Sequence, residues 1–228
     1  MNQLMQHWRP QPGQAFYKKE PGSSDLGRRI VAEGLPLLYE LGFEAFTFRK
    51  LAERLQTTEA SVYRYFENKH HLLLYYMSMY WLWLEYHLTF GVQNLNNPRV
   101  KLHKALEMIS MPGKLHWGFE EFSFERMQEL VVAEWGRVYY TREIDAENQA
   151  GLFTDYKRFC QRLSDMIAEA APQYPYPHSL VSATMNVLFV ERFYAGHFPS
   201  LSDLEENDQR MTHFVKTMVF GALNFVEE

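Results

Sequence analysis

The chain has 228 residues, 46% of them hydrophobic and 22% charged, with a formal net charge of −5. These proportions exclude whole-chain disorder, and a single cysteine, Cys160, excludes an internal disulfide framework or a four-cysteine zinc site and suits a reducing cytoplasm. The acidic balance argues against a general polyanion binder, but residues 1–70 carry ten Lys and Arg against eight Asp and Glu, so any attraction for nucleic acid is confined to one end.

Residues 1–22, rich in Gln, Pro and Gly and carrying Lys18 and Lys19, read as a flexible arm without the apolar core of a secretory signal. From Ser24 onward the pattern is helical, with no hairpin signal and no internal repeat. Ser24 caps a first helix with Asp25 in its first turn. Leu26, Ile30, Leu37, Leu38 and Leu41 lie near one face, Gly42 is the stop, and Pro36 predicts a kink. Thr47 caps a second helix, with Phe46 and Leu51 spaced as a hydrophobic staple, and this helix breaks at Gln56-Thr57. Thr58 caps a short third helix carrying Val62 and Phe66 one turn apart. Asn68 caps a long fourth, whose apolar run Leu72 to Leu84 is interrupted by Ser78 and falls short of the about 20 residues a membrane span needs. The run reads as a buried helix in a soluble protein.

Asn97-Pro98 opens a fifth helix to about Ser110, and Met111 to Gly118 is a loop. Two further helices are expected near 120–141 and 147–171. The proline-rich stretch 172–177 precedes a helix near 178–197, and a last one runs from about 206 to 226. The expected fold is all-α with nine helices.

The stretch Thr47 to Leu73 (TFRKLAERLQTTEASVYRYFENKHHLL) carries the chemistry. Two short helices joined by a tight turn, with small Ala52 at their crossing, suit a helix-turn-helix. Leu51, Leu55, Val62 and Phe66 form the inward face, which leaves Glu59, Ala60, Ser61, Tyr63 and Arg64 outward, small and polar enough to enter a major groove. Thr47, Arg49 and Lys50 open the second helix, where backbone N–H groups attract phosphate, and Lys69 opens the fourth. Arg49 also has Glu53 as a partner four residues on, and Glu59 suits a hydrogen bond at the helix start as well as a cytosine.

This segment, about residues 24–72, resembles the DNA-binding domain of TetR-type transcriptional regulators. The matching positions are Thr47, the Leu51-Ala52 pair, the Thr58 cap, Tyr63 with Phe66, and Lys69 followed by Leu72. Two positions depart from that pattern: Gln56-Thr57 stands where the turn often has Gly, and Tyr65 where a His is usual. The resemblance implies an arm (1–22), a helix-turn-helix domain (23–72) and an α-helical body (73–228) that binds a ligand and forms a homodimer. It implies a cytoplasmic repressor of double-stranded operator DNA, released by a small-molecule effector and needing no cofactor. Thr47, Lys50, Tyr65 and Lys69 would then meet phosphates, with Ser61, Tyr63 and Arg64 at or near the bases. An all-α module whose helix-turn-helix contacts protein is the alternative.

For the body, Tyr76, Tyr80 and Trp83 of the fourth helix and Phe122, Trp135 and Tyr139 of a later one form either a dense aromatic core or the wall of an apolar ligand cavity. The last two helices carry Leu180, Met185, Leu188 and Phe189, then Phe214, Met218 and Leu223, on more than one side, which predicts pairing with a second copy. Enzymatic motifs are absent: there is no Gly-x-Ser-x-Gly elbow, no Walker-type loop and no His-Glu-x-x-His pattern. His70 and His71 are adjacent and the other His scattered, so no metal site is expected.

Overall fold

Capping residues set most of the helix boundaries in the structure, a computed structural model that describes residues 11–115, 123–205 and 207–225. Among these residues there are ten α-helices and no strand. In α1 (Asp25–Ala45) the Ser24 hydroxyl accepts from the Gly27 N–H, satisfying a donor the helix itself leaves orphaned. Pro36 is buried within α1 but keeps helical geometry. The kink expected there falls instead at Gly42 (φ 72°, ψ 161°), in a region of backbone space that glycine enters without a steric penalty.

Thr47 accepts from the Lys50 N–H to open α2 (Phe48–Leu55), and Thr58 accepts from the Ser61 N–H to open α3 (Glu59–Tyr63). Asn68 accepts from the His71 N–H at the start of α4 (Lys69–Val92), which is apolar nearly all round and largely buried. Asn97 with Pro98 at the first position opens α5 (Pro98–Ser110), and Ser123 opens α6 (Phe124–Tyr139). One more helix than expected, α7 (Ile144–Gln149), lies between the helices read near 120–141 and 147–171, with an interruption on each side of it, at 140–143 and around Gly151 (φ 83°). The chain ends with α8 (Thr154–Ala170), α9 (Pro177–His197) and α10 (Asp208–Ala222).

Two compact units result, and their division differs from the boundary expected at 72–73. The first contains α1–α3, the part of α4 up to Trp83, α6 and α7, around fully buried Ile30, Leu51, Val62, Phe66 and Val131. Within it α6 packs along α1. The Arg137 guanidinium pairs with Glu44 at 2.8 Å and lies 4.6 Å over the Phe43 ring. The second contains the rest of α4 with α5, α8, α9 and α10, around Leu102, Phe159, Leu188 and Val215. There the buried Glu85 carboxylate is held by Arg158 at 2.7 Å and Arg162 at 3.4 Å. Among the described residues no helix is long and apolar enough to cross a membrane.

Residues 11–22 do not behave as the flexible arm expected. Phe16 is 2% exposed, Pro12 and Pro21 are buried, and two 3₁₀ turns, Gln14–Phe16 and Pro21–Ser23, fold the segment onto the first unit. A buried aromatic anchors it, a signal the Gln and Pro content masks. Residues 1–10 lie outside the described residues.

Candidate nucleic-acid interface

The first unit presents α2 and α3 as a pair with one apolar and one polar side. Phe48, Leu51, Ala52 and Leu55 of α2 and Val62 of α3, with Phe66 just beyond it, are all at most 3% exposed. The turn between the helices is a Schellman closure: Thr57 N–H donates to Ala52 O at 3.0 Å and Gln56 N–H to Glu53 O at 3.2 Å, with Gln56 left-handed (φ 53°, ψ 47°). Gln56 thus occupies the conformation for which glycine is usual. Arg29 of α1 donates to the Leu55 carbonyl at 2.9 Å, and Arg54 bridges Glu33 and Glu40 of α1 at 2.9 and 2.8 Å, so α2 is fastened at its C-terminal end. Arg29 and Arg54 were not legible as partners in the sequence, because their acceptors are distant along the chain.

With the inner side fixed, Thr58, Glu59, Ala60, Tyr63 and Arg64 are exposed and Ser61 half-buried. The Tyr63 ring, 44% exposed, rests edge-on against Phe48 with centroids 5.0 Å apart, so it stands out from the surface in a defined position. Thr47, Arg49 and Lys50 are exposed at the start of α2. Arg49 pairs with Glu53 at 3.1 Å, and Lys50 donates to the Ala45 carbonyl at 2.8 Å. Both are surface bonds of low worth, readily exchanged for a phosphate.

Two residues expected to meet phosphates already hold partners within the chain. Tyr65 is 4% exposed, and its hydroxyl is 2.7 Å from the Ser24 hydroxyl, which also caps α1; that bond holds its pKa below the ordinary phenol value. Tyr65 ties the end of α3 to the start of α1. Lys69 points inward: its ammonium donates to the carbonyls of Phe43, Glu44 and Phe46 at 2.7, 3.2 and 3.3 Å and lies 4.5 Å over the Phe43 ring. A cation at the C-terminal end of a helix satisfies otherwise orphaned carbonyls, so Lys69 fixes the α1–α2 corner.

The expected ligand residues divide in the same way. Tyr76 is fully buried and donates to the Val31 carbonyl at 2.9 Å, and a Cβ on Gly34 would come within 2.6 Å of its hydroxyl. Tyr76 therefore seats α4 against α1. Tyr80, Trp83 and Trp135 are buried and Tyr139 half-buried. Trp81 donates from its indole to the Tyr139 hydroxyl at 2.7 Å and lies 6.1 Å from Trp135, which is 4.2 Å from Tyr139. Phe122 lies outside the described residues. The second unit holds a cleft of about 970 Å³ between α5 and α10, bordered by Arg99, His103, Glu107, His213, Lys216 and Phe220. Partial burial lowers the pKa of both His103 and Lys216, and the His103 ring stacks on Phe220 at 6.1 Å.

The expected dimer residues are mostly core. Leu180, Met185, Leu188, Phe189 and Leu223 are 1–7% exposed within the single chain, because α9 and α10 bury those sides in their own unit. Outward apolar positions are Val190 on α9 and Phe214 on α10, 39% and 40% exposed, with Met218 half-buried. Among the described residues no group of three His, Cys, Asp or Glu is placed to hold a metal ion.

Comparison with known proteins bears on the same segment. Residues 30–76 match the family model of bacterial regulatory proteins of the tetR family. A 44-residue stretch is 48% identical to the class G tetracycline repressor protein of Vibrio anguillarum; it covers 19% of this chain and 21% of that protein. Over the longer range the likeness is one of fold. The structure of AibR in complex with isovaleryl coenzyme A and operator DNA superposes with a TM-score of 0.57 at 17% identity, covering 83% of this chain and 96% of that one. The ketosteroid transcriptional regulator KstR2 of Mycobacterium tuberculosis gives 0.54 at 14% identity, covering 85% and 94%. Residues 30–76 are therefore similar to the tetR family of regulatory proteins, and over most of its length the chain shares the all-α fold of AibR and KstR2.

Proposed function

We propose that the chain is a cytoplasmic, homodimeric transcriptional repressor that binds operator DNA through α3 and is released by a small apolar or aromatic effector. The observation that carries this reading is the two-sided build of α2 and α3. Their apolar side is fully buried, while Glu59, Ala60, Ser61, Tyr63 and Arg64 line an exposed strip that no other described element covers by hydrogen bond or ion pair. Tyr63, Arg64 and Ser61 reach base edges, and Thr47, Arg49 and Lys50 meet phosphates at the start of α2. Two such heads read successive major grooves when they stand about 34 Å apart, which a dimer supplies. The dimer forms across Val190, Phe214 and Met218.

The effector lodges among Tyr80, Trp83, Trp135 and Tyr139. Its leverage comes from α6, because a shift of that helix drags Arg137 and, through Glu44 and Phe43, the corner of α1 from which α2 starts. A hundredfold loss of DNA affinity requires about 2.7 kcal/mol of coupling, and DNA must weaken effector binding by the same factor. The cleft in the second unit is a separate place for a small molecule, and fluorescence tells the two apart: the aromatic cluster contains Trp81, Trp83 and Trp135, whereas no described residue lining the cleft is a Trp.

The decisive experiment is selection of bound duplexes from a random pool, followed by footprinting and titration across salt. A palindromic site whose affinity falls with salt is expected. Failure to enrich any duplex, with the protein folded and dimeric, would leave a protein-contacting helix-turn-helix as the better reading.

A further inference from the structure

The segment before α1 is fastened to the end of the reading helix. The Lys18 N–H donates to the Tyr65 carbonyl at 2.7 Å, directly beyond the C-terminal end of α3. The Lys19 ammonium lies 5.1 Å over the Tyr65 ring, and Tyr17 meets Tyr75 of α4 edge-on at 6.3 Å. Phe16 anchors the segment below. The first turn of α1 is cut to receive it: a Cβ on Gly27 would come within 2.3 Å of the Pro21 carbonyl oxygen and 2.8 Å of the Tyr65 ring, so only glycine lets both approach. The tyrosine that a sequence reading sends to a phosphate is thus the pillar on which this segment leans.

The consequence is electrostatic. Lys18 and Lys19 are both exposed, and they stand one residue and one ring away from the helix that carries Tyr63 and Arg64. Glu20 and Glu67 lie nearby and reduce the local field without pairing with either lysine at ion-pair distance among the contacts described. A major groove about 12 Å wide is walled by phosphates, so a helix end inside it has a backbone strand within the reach of a lysine side chain.

We infer that residues 16–21 are a docked part of the DNA interface, with Lys18 and Lys19 binding the backbone phosphates that flank the groove entered by α3. This rests on the reading of α3 as the groove helix and adds a phosphate site that supplies affinity without sequence preference. The docked geometry matters, because a lysine held in place gives up less freedom on binding than one on a mobile arm.

The test uses the full chain and a selected duplex beside an unrelated one, with anisotropy titrations over a range of salt. The double variant Lys18→Gln with Lys19→Gln is expected to lower the slope of log affinity against log salt by about 1.8, the value for two phosphate contacts. The loss should be equal on both duplexes, with an unchanged melting temperature. Lys18→Arg with Lys19→Arg should restore the slope. Gly27→Ala keeps both charges but displaces Pro21; faster amide exchange at Lys18 together with a smaller slope is the expected pairing. An unchanged slope in the Gln variant, or a loss confined to the selected duplex, overturns the inference while leaving α3 as the groove helix. A parent chain that binds no duplex overturns both together.

Discussion

Helices α2 and α3 and helices α9 and α10 contain similar kinds of apolar residue, yet their sequences are not equally informative. In α2 every buried position (Phe48, Leu51, Ala52, Leu55) falls on one side, and the opposite side is charged. Caps at Thr47 and Thr58 fix where each helix begins. One side can face the core, so burial, orientation and exposed strip follow together. α9 is apolar on several sides, carrying Leu180, Met185, Leu188 and Phe189 together with Val190 and Phe193. Such a pattern says that much of the helix is covered without saying by what. The structure assigns Leu188 and Phe189 to the chain's own core and leaves Val190 outward. A period is informative only when it leaves a polar remainder.

The largest expected effects test that contrast directly. Phe66→Ala removes a fully buried ring that meets Tyr75 edge-on at 5.4 Å and should cost about 3–5 kcal/mol in urea denaturation. Leu188→Ala, 2% exposed, should cost about 2–5 kcal/mol in the same measurement without selectively dissociating a dimer. Phe214→Asp should do the reverse, yielding a folded monomer by light scattering, because its ring is outward. If Leu188→Ala instead gives a stable monomer, the interface lies where the bare apolar pattern first placed it.

Lys69→Ala comes next. Its ammonium serves three carbonyls at the α1–α2 corner, so loss should destabilise the fold by about 1.5–3 kcal/mol, the range for hydrogen bonds to charged groups. DNA affinity should fall only as far as the corner moves, with the salt slope kept. A slope lowered by one phosphate contact, at unchanged stability, would return Lys69 to the interface.

Tyr63→Ala and Arg64→Ala probe the strip itself. Each should cost about 1–3 kcal/mol on the selected duplex and less on others, relaxing preference at the positions it reads. Tyr63→Ala should also lose about 0.5–1.5 kcal/mol of stability through its contact with Phe48. Equal losses on all duplexes would move these side chains from bases to backbone.

What was legible and what was not divides along chain distance. The helix-turn-helix, its inward residues and its capping residues are written within a 27-residue window, as near-neighbour relations. The partners that Tyr65 and Lys69 hold within the chain, Ser24 and the carbonyls of Phe43, Glu44 and Phe46, were not legible, because they lie 23–41 residues away and leave no periodic trace. The same is true of Phe16, whose burial depends on a surface made by other helices. Pro36 misled for a different reason. Its missing donor was tolerated in place, and the break fell at the glycine that permits a positive φ.

The smallest predicted effect concerns the turn between the two reading helices. Gln56 occupies left-handed space at φ 53°, where a side chain costs about 1–2 kcal/mol relative to ordinary helical geometry. The hydrogen bonds of the turn are backbone bonds, Thr57 to Ala52 and Gln56 to Glu53, and need nothing from the glutamine side chain. Gln56→Gly removes the strain but also gives the unfolded chain more freedom, which offsets part of the gain. The balance should be a stabilisation of about 0.5–1 kcal/mol, read as a small rise in the urea midpoint at constant slope, with duplex preference unchanged. A loss of stability would mean that the Gln56 side chain holds a contact worth more than the strain it carries, and the turn would then be set by that contact as well as by the Schellman closure.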